Sequence, residues 1–72
     1  MKQQRDIEKN YPTSEFVAKL RRLADAIEQG SKFEIQIANE IIYVPARATF
    51  SIEHERDETS EEIEFQIKWS HE

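Results

Sequence analysis

A chain of 72 residues with no cysteine makes one domain, 1–72, and excludes a disulfide scaffold or a thiolate metal site. So short a chain buries only about 60% of the surface its unfolded form exposes, which leaves either a compact core alone or a core helped by self-association. The net charge of −5 is uneven: residues 1–30 carry six basic and five acidic side chains, residues 31–72 four and ten, and an acidic second half disfavours nucleic acid, whose affinity rests on phosphate neutralisation.

Residues 1–11 are an arm, polar apart from Ile7 and Tyr11, which anchor a short extra N-terminal edge strand or leave the segment frayed. Its first residues show no signal-peptide core, and no apolar run in the chain approaches the roughly 18 residues of a membrane span. Together with the lack of cysteine this makes a cytoplasmic protein without a membrane segment the expectation. Residues 13–29 read as a helix. Thr13 or Ser14 is the expected cap and Glu15 suits the positive end of the dipole. Phe16, Val17, Leu20, Leu23, Ala24 and Ile27 form one apolar stripe, and Gly30, the only glycine, stands where a left-handed terminating residue is needed.

From residue 32 to 69 the period is two. Phe33, Ile35 and Ile37 alternate with polar residues in a first strand, and Ala38-Asn39-Glu40 is a short reversal. The second strand, Ile41-Ile42-Tyr43-Val44, is apolar on both faces and is closed by Pro45, which cannot donate to a ladder. A two-residue turn at Asn39-Glu40 puts Ile42 and Val44 inside and Ile41 and Tyr43 outside; a three-residue loop reverses this. The third strand alternates Ala48, Phe50 and Ile52 with Thr49, Ser51 and Glu53. Asp57-Glu58-Thr59-Ser60 turns the chain into a fourth, Glu62-Ile63-Glu64-Phe65-Gln66-Ile67-Lys68-Trp69. Short connections make sequential strands antiparallel neighbours. The predicted fold is α+β: one helix packed on one face of a four-stranded antiparallel meander, a two-layer sandwich. Its core is Leu20, Leu23, Ile27, Phe50, Phe65, Ile67 and Trp69.

The run Phe16-Val17-Ala18-Lys19-Leu20-Arg21-Arg22-Leu23-Ala24-Asp25-Ala26-Ile27-Glu28, the later Val44-Pro45, and the alternating acidic end at Trp69 resemble the amphi-Trp domain. That is a small bacterial and archaeal domain named for an amphipathic terminal strand ending in tryptophan. The resemblance covers about residues 11 to 69. It implies this fold and carries no established activity.

Chemistry is sparse. One glycine excludes a phosphate-binding loop or a nucleophile elbow. In Glu53-His54-Glu55 the histidine points opposite to both glutamates, so the three do not converge on a metal. His71 lies in the tail. If the third and fourth strands pair across the 57–60 turn, opposed residue numbers sum to about 117. Ile52 then faces Phe65, Phe50 faces Ile67 and Ala48 faces Trp69 on the inner side. Glu53 faces Glu64 and Glu55 faces Glu62 on the outer side, where like charges oppose each other. That acidic face is a weak site for a cation or a basic ligand, or a solvated face guarded against aggregation. Lys19, Arg21 and Arg22 spread round the helix and make no nucleic-acid stripe. An outward Ile41 and Tyr43 pair marks an interface, or is covered by Ile7 and Tyr11 folding over it, or belongs to a central strand with a tolerated exposed tyrosine. The expected function is a small non-enzymatic interaction module with no cofactor. Its partner is an unknown protein or a second copy, met through the open sheet face or an edge strand.

Overall fold

The computed structural model describes residues 4–72. Element order is α1 (Thr13–Gln29), β1 (Phe33–Ile37), β2 (Glu40–Val44), β3 (Thr49–Arg56) and β4 (Glu61–Lys68). The class is α+β, with one helix and four antiparallel strands in the order the periodicity predicts. The strands form two two-stranded sheets, β1–β2 and β3–β4, where one continuous meander was expected. The break falls at Pro45. It has no N–H to open a β2–β3 ladder, and the chain turns there, the Ala48 N–H donating to the Pro45 carbonyl at 3.1 Å.

Pro12, extended at φ −60° and ψ 153°, occupies the N-cap of α1 with no side-chain cap, and its carbonyl accepts from the Phe16 N–H at 3.0 Å. Thr13 and Ser14, expected as caps, lie one step too late: they are already inside the first turn, beside Glu15. The other end follows expectation. Gly30 is left-handed at φ 68°; its N–H donates to Ile27 and that of Ser31 to Ala26, both at 3.0 Å. These two bonds satisfy carbonyls that a helix end otherwise leaves open.

The first hairpin turns on Ala38 and Asn39, both at positive φ (46° and 69°), and pairs Ile35 with Ile42 and Phe33 with Val44. The turn therefore sits one residue earlier than Asn39-Glu40, because two positive-φ residues match the twist of the flanking strands. Parity is unchanged, so Ile42 and Val44 share the less exposed face with Phe33 and Ile35. Helix α1 packs against β1 and against neither β3 nor β4. Arg22 reinforces that contact, donating to the Glu34 carbonyl at 3.3 Å and lying 5.6 Å over the Phe33 ring.

Among residues 4–11 no edge strand forms; positions 1–3 of the expected strand lie outside the described residues. Arg5 ties the arm to the first hairpin through the Glu40 carboxylate at 3.0 Å and the Ile37 carbonyl. Tyr11 sits beneath the ammonium groups of Lys9 and Lys19 at 5.2 and 5.1 Å. No helix among the described residues is long and apolar enough to cross a membrane.

Candidate functional site

The β3–β4 hairpin follows the expected register residue by residue: Phe50 opposite Ile67, Ile52 opposite Phe65, Glu53 opposite Glu64 and Glu55 opposite Glu62. Its two faces are chemically opposite and both are open.

The apolar face departs most from expectation. Phe50, Ile52, Ile63 and Phe65 are 55%, 67%, 64% and 66% exposed. Phe50 and Phe65 are therefore not core residues of the single chain, because no helix lies over this hairpin. Ile67 and Trp69, nearer the rest of the chain, are half-buried, and small Ala48 is the buried apolar residue among those described. Trp69 is likewise not a fully enclosed plug. It lines a cleft of about 1280 Å³ with Ile7, Ile37, Ile42 and Tyr43, and a second opening with Arg47 and Thr49.

The helix shows the same imbalance. Leu23 is half-buried against the first hairpin, whereas Leu20 and Ile27, assigned to the core from periodicity, are exposed together with Phe16 and Val17. The helix seats on a hairpin of two five-residue strands, too narrow to cover its whole stripe.

At the far end of the apolar face, His54 Nε2 lies 2.8 Å from Glu61 Oε2, which also accepts from Arg56 Nε at 3.0 Å and Nη2 at 2.8 Å. The Arg56 guanidinium first, and His54 second, hold the Glu61 carboxyl below its ordinary range. His54 thus points away from Glu53 and Glu55, as strand geometry requires. The Arg56–Glu61 pair went unremarked in the sequence, although the sum of 117 places these residues opposite each other.

The acidic face assembles as the register predicts. Carboxylate oxygens of Glu55, Glu62 and Glu64 lie within 4.8 Å of one another. Gln66 Nε2 donates to Glu53 at 2.9 Å and to Glu64 at 3.2 Å, and Ser51 Oγ meets Gln66 Oε1 at 3.0 Å. Hydrogen bonding with the Glu55 carboxyl, then the charge of Glu64, pushes the Glu62 carboxyl up from its ordinary value. The turn beyond is built on Asp57, whose Oδ1 accepts from the N–H groups of Thr59 at 2.9 Å and Ser60 at 2.8 Å. Those two N–H groups are the main reason its carboxyl is held down.

Ile41 and Tyr43 both project from the outer face of the first hairpin, opposite Gln36 and Glu34, and are exposed. Ile7 is itself about half exposed, and it shares a cleft with Tyr43. The apolar pair expected from the sequence is therefore present, but the longer patch on β3–β4 is the larger one.

No curated protein and no solved structure matches this chain. The family model of the Amphi-Trp domain matches residues 1–72, the whole length, and takes in the helix, both hairpins and the terminal tryptophan. The chain belongs to the Amphi-Trp domain family.

Proposed function

We propose that this chain is a small non-enzymatic interaction module of the cytoplasm, and that its binding surface is the apolar face of the β3–β4 hairpin. The observation that carries this reading is the run of Phe50, Ile52, Ile63 and Phe65, each more than half exposed on one side of a single hairpin. Contiguous apolar surface of this kind marks a contact site. Ile41 and Tyr43 supply a smaller second patch. The titratable groups favour binding over catalysis: they lie on open strand surfaces, with the Glu55, Glu62 and Glu64 carboxylates on one face and the His54–Glu61–Arg56 group on the other. The lack of cysteine fits a reducing compartment. A photo-crosslinking residue placed at Ile52 is expected to join the chain to protein in cells, while one at Thr59 is not. Equal or absent labelling at the two positions rejects the reading.

A second reading rests on the carboxylates of Glu55, Glu62 and Glu64: weak binding of a divalent cation or a basic ligand. Three carboxylates within 4.8 Å relieve their repulsion when a cation enters. Titration with calcium or magnesium is expected to move the amide resonances of Glu53, Glu55, Glu62 and Glu64. Silence at these four amides removes the reading.

A further inference from the structure

We infer that the apolar face of the β3–β4 hairpin is covered by helix α1 of a second copy of this chain, reciprocally, in a two-fold dimer. The inference rests on the interaction-module reading and names its partner.

Surface area points to a missing partner of substantial size. The chain exposes 6739 Å², whereas a compact folded chain of 8.6 kDa exposes about 4,700 Å². Its radius of gyration is 13.8 Å, against about 11 Å for a compact domain of this length. The excess is about 2,000 Å² per chain. Two chains that buried it against each other would hide about 4,000 Å², within the range of obligate homodimers.

Complementarity points to a second copy as that partner. Besides the smaller Ile41–Tyr43 patch, each chain leaves two larger apolar surfaces uncovered: the hairpin face, and the part of the helix stripe formed by Phe16, Val17, Leu20 and Ile27. A helix on a sheet is how both kinds of surface are ordinarily buried. The dimensions agree: 17 helical residues span about 25 Å, and eight strand residues about 26 Å. Helix α1 meets its own β1 near Arg22 and Leu23, and the rest of the stripe, Phe16, Val17, Leu20 and Ile27, stays exposed and available to another chain. A two-fold axis makes the two contacts equivalent and leaves neither surface over. Hairpin-on-hairpin pairing would leave the helix stripe wet.

Charge agrees with this arrangement. The acidic face of each hairpin stays outward in the dimer. There Glu53, Glu55, Glu62 and Glu64 oppose further stacking, so assembly closes at two chains.

Sedimentation equilibrium on the purified chain is expected to give twice 8.6 kDa. A mixed sample of carbon-13-labelled and unlabelled chains, read by isotope-filtered NOE spectroscopy, is expected to show intermolecular contacts from Phe16 and Leu20 to Ile52 and Phe65. Phe65→Asp is expected to weaken the dimer on the order of 100-fold; the NOE experiment uses the unsubstituted chain, so it decides even if that variant fails to fold. A monomeric mass at millimolar concentration overturns the inference, as do helix–hairpin contacts found only within one chain. Intermolecular contacts between hairpins alone overturn it too. A monomer that nevertheless crosslinks through position 52 to a different protein in cells would end the dimer and leave the interaction-module reading standing.

Discussion

The two hairpins of this chain are built from the same alternation and end in opposite states. The β1–β2 hairpin has five-residue strands, a two-residue turn and a helix against one face, so that Phe33, Ile35, Ile42 and Val44 are half-buried. The β3–β4 hairpin has eight-residue strands, a stronger apolar face and nothing over it. The better amphipathic strand pair is the less covered one. Alternation decides which side chains share a face; burial requires a second surface, and one 17-residue helix seated on the first hairpin does not supply it to the other.

Four measurements sharpen or break that contrast. The largest effect is expected from Phe65→Ala. If a second copy covers the hairpin, the substitution costs about 3–5 kcal/mol, the range for emptying a buried aromatic site. If the face stays wet, the cost falls below about 1 kcal/mol, and chemical denaturation at several protein concentrations separates the two. The reference point on the covered hairpin is Ile35→Ala, expected at about 2 kcal/mol for a half-buried isoleucine and independent of concentration.

Trp69→Ala comes next. A fully enclosed indole would cost about 3–5 kcal/mol, and the half-buried position of Trp69 between the hairpins lowers this to about 2 kcal/mol. Loss at the upper end of the range, measured by urea unfolding, would mean that the indole is enclosed in the assembled protein.

Gly30→Ala is smaller, about 1 kcal/mol, and acts at the C-terminal end of the helix that within one chain seats on the first hairpin. A Cβ at this position meets nothing within 4 Å, so the cost is the left-handed backbone alone. Thermal unfolding should show it without any change in association.

The smallest effects are those of pH, and they belong to the second hairpin. Glu62 has a raised carboxyl, so the folded chain holds its proton more tightly than the unfolded one. Its contribution to stability is fully present below the unfolded carboxyl value and is lost as pH rises through the raised folded value. Asp57 behaves in the opposite sense. Its carboxyl is held down by the N–H groups of Thr59 and Ser60, so its contribution is present above the unfolded value and is lost as pH falls through the folded one. On acidification from neutrality the melting temperature should rise slightly and then fall. Glu62→Gln should remove the rise, and Asp57→Asn should reduce the fall.

Much of the candidate site was legible in particular residues. The turn at Asp57–Ser60 and strict alternation on both sides of it set the sum of 117, and from that followed the opposed glutamates, the apolar pairs and the orientation of His54. The first turn was harder. Ala38-Asn39-Glu40 marks the reversal, but Ala38 has no intrinsic preference for positive φ, so its sequence leaves open a two-residue turn at Asn39-Glu40 and a three-residue loop, where the structure turns on Ala38 and Asn39. Thr13 and Ser14 looked like caps by composition, but Pro12 already supplies the extended residue that starts the helix.

The sequence by itself determined the helix and its Gly30 terminus, the four strands, and which side chains share each face of the second hairpin. These depend on backbone periods of 3.6 and 2 and on turn chemistry, all of which act over a few residues. Only the tertiary structure decided that the strands divide at Pro45 into two sheets, that α1 lies on the first alone, and that Phe50 and Phe65 face outward. Those outcomes depend on how far one apolar surface can reach to cover others, a non-local balance of area that no local pattern encodes.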